Sequence, residues 1–91
     1  MELDKVARKN LGTYSSHFIH SLGHGIGLEV HEAPSFFEDK KITPHHVFTI
    51  EPGIYFLGKL GIRIEDTLVW DGKKVKILTR FSKELLTITK K

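Results

Sequence analysis

Apolar positions Leu3, Val6, Ala7 and Leu11 recur at helical spacing, which predicts a short amphipathic helix over residues 2–11 with Gly12 as its stop. Residues 13–17 read as a loop, and Phe18-Ile19-His20 as a short extended piece. Beyond that point the period changes to two. Leu28-Glu29-Val30-His31-Glu32 alternates as a strand does, with Ala33-Pro34-Ser35 ending it because proline cannot donate to a ladder. Residues 36–41 read as a loop. Val47–Glu51 is a β-branched and aromatic strand, with Val47, Thr49 and Glu51 on one face and Phe48 and Ile50 on the other. Pro52-Gly53 predicts a bulge or kink before Ile54-Tyr55-Phe56 resumes, and Leu57–Gly61 is a glycine-bounded turn. Gly61–Trp70 reads as one continuous strand. Ile62, Ile64, Asp66, Leu68 and Trp70 face one way; Arg63, Glu65, Thr67 and Val69 face the other. Asp71-Gly72 predicts a two-residue hairpin into Val75–Thr79, and Ser82 is placed to cap a helical turn over Lys83–Leu86.

Composition narrows the class. At 91 residues the chain is one small domain at most, with little surface to bury. It has no cysteine, so neither a disulfide nor a thiolate metal site can brace it, and the expected compartment is the cytoplasm. The formal charge of +3 is concentrated near the end, in Lys73, Lys74, Lys76, Arg80, Lys83, Lys90 and Lys91. These residues read as a solvated hairpin and tail; without aromatic interleaving or a reader motif, no nucleic-acid partner is expected. No apolar run approaches a membrane span, and the start lacks the basic and apolar regions of a signal peptide, so no membrane partner is expected either.

The candidate chemistry lies in residues 20–31, where three of the six histidines alternate with three glycines. Gly23 and Gly25 flank His24, allowing either a positive φ or close approach of another group. Imidazole is both the commonest metal ligand and the usual acid or base near neutral pH. Glu51 and Glu65 each sit among apolar strand neighbours, where an unpaired carboxylate is costly. If they face one another they repel and one pKa rises, unless a divalent cation lies between them. Histidine with glutamate suits Zn, Mn, Co or Fe better than Ca. The alternative pairs one glutamate with Arg63 and leaves the other in water. Other motifs fail: Ser35 stands where a second HExxH histidine would be, the glycines match neither GxGxxG nor a P-loop, and Ser21 sits in no GxSxG elbow.

Three blocks then carry a resemblance: Gly23-His24-Gly25-Ile26-Gly27 with His31-Glu32-Ala33-Pro34, Phe48-Thr49-Ile50-Glu51-Pro52-Gly53, and Gly61-Ile62-Arg63-Ile64-Glu65-Asp66-Thr67. In this order they resemble the C-terminal signature of the pita-bread metallopeptidases, which include methionine aminopeptidase, aminopeptidase P and Xaa-Pro dipeptidase (prolidase). The stretch His20–Glu32 is most similar to Xaa-Pro dipeptidases, and the three residues between Gly27 and His31 disfavour methionine aminopeptidase. The resemblance implies an α+β fold, mostly antiparallel sheet with a short N-terminal helix. It implies that His24 and Glu65 bind metal, that Glu51 binds metal and acts as general base, and that His31 contacts the scissile carbonyl. It also places His20 near the substrate and Arg63 behind the ligands. The implied reaction is two-metal hydrolysis of Xaa-Pro dipeptides, the metals lowering the pKa of the attacking water and polarising the carbonyl.

The family's site also uses two aspartates from an earlier hairpin, and no aspartate here has their place in the chain. Residues 1–91 are therefore expected to be a single truncated catalytic domain, the C-terminal half of a pita-bread domain. Expected with it are little or no dipeptidase activity alone, weak binding of one transition metal, and a homodimer or a partner chain carrying the missing half. A rival from another class is a non-catalytic assembly or binding module, or one chain of a split enzyme.

Overall fold

A computed structural model describes residues 2–36 and 41–89. Helix α1, Glu2–Leu11, forms where the spacing predicts it, with Glu2 and Asp4 in its first turn and Arg8 and Lys9 in its last, complementing the helix dipole. Only half of its apolar stripe is used: Ala7 and Leu11 pack on the core, while Leu3 and Val6 remain 40% and 57% exposed. Arg8 provides the stronger tie. Its Nε donates to Asp4 Oδ1 at 2.6 Å, and its two terminal nitrogens donate to the carbonyls of Phe18 and His20 at 2.8 and 2.9 Å. Gly12, at φ 59°, ends the helix as expected, but the expected loop is a 3-10 segment, Gly12–His17. Its Tyr14 and His17 rings lie against Phe56.

The remainder is antiparallel sheet, as the α+β reading expects. The strands are β1 (His24–Gly25), β2 (Glu32–Ser35), β3 (Val47–Ile50), β4 (Gly53–Phe56), β5 (Leu60–Arg63), β6 (Asp66–Trp70) and β7 (Val75–Ile77). Five of them form one sheet in the order β2-β1-β3-β6-β7, and β4 and β5 form a separate two-stranded sheet. β3 lies at the centre, and both Phe48 and Thr49 are buried, so neither face of this strand is the wet one. Phe18, Leu22, Phe36 and Phe48 make the core, with Ile42, Ile50, Leu68 and Trp70 packed around it.

Several expected elements differ. The Leu28–Glu32 strand is absent: residues 26–31 instead bridge β1 and β2, with Gly27 N–H donating to Glu29 O at 3.0 Å and Glu32 turning its carboxylate back to the Glu29 N–H. Leu28 and Val30 are left exposed, because the alternation has no layer to pack against among the described residues. Pro34 does not end a strand but lies within β2, after a cis Ala33–Pro34 peptide, at the sheet edge where its missing N–H leaves no ladder bond unmade. The loop expected over 36–41 falls largely on residues 37–40, outside the described residues. The single strand expected over Gly61–Trp70 is two, β5 and β6, interrupted at Ile64-Glu65 and belonging to different sheets. Asp71-Gly72 turns the chain in a four-residue rather than a two-residue loop. The Asp71 carboxylate accepts from the N–H groups of Lys73 and Lys74, and Trp70 pairs with Val75 across it. Strand β7 ends at Ile77, short of the expected Thr79. No helical turn follows Ser82; its hydroxyl accepts from the Glu84 N–H in an isolated turn.

Candidate metal centre

The register of one long hairpin places the two glutamates. β3 pairs with β6 through Ile50–Asp66, and β4 pairs with β5 beginning at Gly53–Arg63. One step beyond Ile50–Asp66 sets Glu51 opposite Glu65, in the gap where the ladder leaves one sheet for the other. Pro52 lies in that gap and has no N–H to give, though its carbonyl still accepts from Ile64 N–H at 3.2 Å. Gly58, at φ 73°, sits third in the turn Phe56–Lys59 that closes the hairpin, a position where a side chain is strained.

His24 arrives from the other side. A Cβ on Gly23 would lie 1.8 Å from the Thr49 carbonyl oxygen, and one on Gly25 would lie 2.0 Å from the Ala33 carbonyl oxygen. Close backbone approach, not a positive φ, is therefore what these two glycines supply. It brings the His24 N–H to 3.1 Å from the buried Thr49 hydroxyl oxygen, which accepts it. Glu51 is fixed by a parallel device: its N–H donates to Leu22 O at 2.6 Å, while the Leu22 N–H donates to Asp4 Oδ2 at 3.0 Å. Helix α1 thus holds the strand that carries the carboxylate.

These supports bring His24, Glu51 and Glu65 together, with one ligand atom from each within 4.8 Å of the others. His24 Nδ1 lies 2.8 Å from the Gly25 carbonyl, which can only accept, so in the neutral ring Nδ1 carries the proton and Nε2 presents a lone pair. That lone pair faces Glu51 Oε2 at 3.3 Å. Glu51 Oε2 is buried without a hydrogen-bond partner. Two acceptors turned toward each other, one of them orphaned and buried, fit a cation between them. The Glu65 carboxyl is pushed above its ordinary value by desolvation and by the hydrogen bond and charge of Glu51, against the opposing charge of Arg63. The repulsion expected of the facing pair is therefore present. Of the alternative arrangement only half occurs. Arg63 Nε stands 3.7 Å from Glu65 Oε2, but Glu51 is not turned to water.

A cleft of about 570 Å³ opens beside this group, lined by His20, His24, His31, Phe36, Glu51 and Arg63 among others. The exposed His31 ring lies 4.1 Å from the His24 ring, centre to centre. His20 is half-buried, with Nδ1 2.8 Å from Ser21 O and Nε2 2.8 Å from the Tyr55 hydroxyl. The Arg63 guanidinium is pushed above its ordinary value, chiefly by a hydrogen bond with that hydroxyl. Sequence reasoning missed Tyr55, Thr49 and the Asp4–Arg8 pair. For Tyr55 a signal existed in Gly53 and Gly61, the residue two before it and its cross-strand partner.

Residues 1–71 match the family model described as metallopeptidase family M24. The Xaa-Pro dipeptidase of Pyrococcus furiosus is 46% identical over 89 residues, covering 93% of this chain and 26% of its own length. Among solved structures, the prolidase from Pyrococcus horikoshii OT3 superposes with a TM-score of 0.86 at 45% identity, over 93% of this chain and 26% of that one. The X-Pro aminopeptidase from Thermotoga maritima MSB8 does so with a TM-score of 0.84 at 49% identity, over 91% and 25%. The chain spans about a quarter of the length of these relatives. Among the described residues, no helix is long and apolar enough to cross a membrane.

Proposed function

Since the chain belongs to metallopeptidase family M24 and has the fold of part of the pita-bread prolidases, we propose that it serves in the hydrolysis of Xaa-Pro dipeptides, as a piece of a larger catalytic domain. The observation that carries this reading is the orphaned Glu51 oxygen facing the bare Nε2 of His24, with Glu65 beside them. His24, Glu51 and Glu65 would hold a divalent transition metal, Mn, Co, Zn or Fe, for which one nitrogen and two carboxylates are a suitable donor set. Such a metal, when bound, would supply a Lewis acid and lower the pKa of the attacking water. Glu51 lines the cleft and would take the proton of the attacking water with the carboxylate oxygen that is not turned to the metal. His31, exposed on the cleft wall, donates to the oxygen that becomes negative as the carbonyl is attacked. Arg63 keeps Glu65 oriented from behind. The names of the relatives, dipeptidases and an X-Pro aminopeptidase, favour a proline-directed substrate over that of a methionine aminopeptidase.

Equilibrium dialysis against Mn²⁺ or Co²⁺ tests the centre: one ion per chain is expected, lost in a His24→Ala, Glu65→Ala double variant. Equal uptake by the two proteins would overturn it. In the metal-loaded chain, an Xaa-Pro dipeptide should shift the ring resonances of His20 and His31 and Met-Ala should not; the reverse preference would sink the substrate class. Three ligands hold one ion where the reaction uses two, so the 91-residue chain alone should show little or no turnover. Hydrolysis of an Xaa-Pro dipeptide that disappears on Glu51→Gln would refute this. The β4–β5 hairpin leaves Leu57, Leu60 and Ile62 exposed, which favours a second copy or a partner chain over it. A folded 10.4 kDa species in sedimentation equilibrium at micromolar concentration would exclude that.

A further inference from the structure

We propose that Tyr55 is a positioning residue that donates to His20 Nε2 and, with the Ser21 carbonyl at Nδ1, fixes that ring on the cleft wall, and that Gly53 and Gly61 exist to seat the Tyr55 ring. Tyr55 lies in β4 opposite Gly61 of β5. A Cβ on Gly61 would stand 2.6 Å from Tyr55 Cδ1, and one on Gly53 would stand 2.7 Å from its hydroxyl oxygen. The ring therefore lies back across its own hairpin, over the two positions that have no side chain. This posture carries the hydroxyl to 2.8 Å from His20 Nε2, with the two rings nearly edge-on at 5.3 Å between centres.

The proton count follows from the other end of the imidazole. His20 Nδ1 is 2.8 Å from the Ser21 carbonyl, which only accepts, so Nδ1 bears hydrogen. Nε2 is then bare and accepts from the Tyr55 O–H. In neutral histidine the hydrogen bond made by one nitrogen decides the state of the other, and here both partners demand the same tautomer. The remaining freedom of the ring is taken up by Phe18, edge-to-face at 5.0 Å, and by Arg8, which holds the His20 carbonyl.

Both nitrogens of His20 are thus committed, and His20 is a fixed wall of the cleft rather than an acid or base that exchanges protons with a substrate. This rests on the proposed function only in calling the cleft a substrate site; the tautomer is a property of the metal-free chain and is read without metal or peptide.

The test is long-range ¹H–¹⁵N correlation of the histidine rings in the 91-residue chain at about pH 8, above the ordinary imidazole pKa. In the wild type, His20 is expected to carry hydrogen on Nδ1. In Tyr55→Phe, which keeps the ring and removes the donor, the Ser21 carbonyl still holds Nδ1–H, so His20 should keep its tautomer while its Nε2 resonance moves downfield to that of a lone pair without a donor. His24, held by Gly25 O, should keep Nδ1–H. Gly61→Ala leaves the hydroxyl in place but displaces the ring, and should produce the same change at His20. Should Gly61→Ala not fold, Tyr55→Phe decides alone. An Nε2–H tautomer for His20 in the wild type, an unchanged His20 Nε2 resonance in Tyr55→Phe, or equal disturbance of His20 and His24 would each overturn the proposal. Failure of metal uptake would count against the metal centre and leave this result untouched.

Discussion

Replacing Glu51 with Gln should stabilise the metal-free chain while abolishing its uptake of metal. Glu51 faces Glu65 across the interrupted ladder, with ligand atoms within 4.8 Å. Two unit charges at that distance repel by about 3.5 kcal/mol at an effective dielectric constant of about 20. The Glu65 side chain is 40% exposed, so solvent reduces this to about 1 kcal/mol. A second gain adds to it. The buried Oε2 has no partner, whereas a glutamine amide placed there would donate to the bare Nε2 of His24 or to Glu65, and satisfying a buried polar atom is worth about 1 kcal/mol. A total near 2 kcal/mol raises the melting temperature of a domain this size by about 8–16 °C. The measurement is thermal unfolding near pH 7 in chelator and again with excess Mn²⁺. The wild type should melt lower than Glu51→Gln in chelator and gain stability with metal, while the variant should not respond. A variant that melts below the wild type in chelator would show that Glu51 is an ordinary structural partner of His24. A variant with the same metal-induced shift as the wild type would remove Glu51 from the ligand set.

The raised Glu65 carboxyl sets a pH dependence with a definite sign. A carboxyl whose folded pKa lies above its unfolded value contributes stability below the unfolded pKa and loses it as pH rises through the folded one. This contribution should therefore fall as pH rises from about 4 toward neutrality, opposite in sign to those of Asp66 and Asp71, whose carboxyls are held low, so the urea midpoint of Glu65→Gln should gain on that of the metal-free wild type over that range; a difference that does not change with pH would contradict the assignment. Gly23→Ala would drive a methyl to 1.8 Å from the Thr49 carbonyl oxygen, and backbone on both sides cannot yield. A loss of about 3 kcal/mol or more is expected, enough to unfold a small domain, and a native circular dichroism spectrum with an unchanged melting temperature would refute it. Arg8→Lys keeps the charge but loses the fork that reaches Asp4, Phe18 O and His20 O together. A drop of about 1–2 kcal/mol in urea unfolding is expected, and an unchanged midpoint would show the clamp to be idle.

The α+β class and most elements were legible because period and turn chemistry are local. The helix over 2–11, strand Val47–Ile50 and the hairpin after Trp70 needed only neighbours a few residues apart. The errors share one cause. Leu28–Glu32 alternates as a buried strand does, yet the layer it would pack against is not among the described residues, so chain connectivity won over pattern. The division of Gly61–Trp70 could not be read from that stretch, whose alternation is unbroken. It follows from Pro52 on the opposite strand, a non-local fact. Chemistry behaved in the same way. The histidines and glutamates stood out by residue type and neighbourhood, whereas Thr49, Tyr55 and Arg8 look like ordinary strand and helix residues until the fold brings their polar atoms to His24, His20 and the 18–20 backbone.

The pairing of Glu51 with Glu65 links fold to chemistry most directly. Like charges directly opposite one another on antiparallel strands are destabilising, and here they stand in a long hairpin one step before Pro52 removes a backbone donor. Neither feature assists the sheet. A proline on the outer edge, as Pro34 is in β2, loses no ladder bond; Pro52 lies between two paired segments and divides them into separate sheets. The division leaves Glu51 and Glu65 beside His24 instead of in a continuous ladder, and the Leu22 carbonyl, its residue held from helix α1, takes up the Glu51 N–H. Local rules broken together at one point, with the surrounding backbone arranged to hold the breakage in place, are what a site maintained for binding would show and a merely structural hairpin would not.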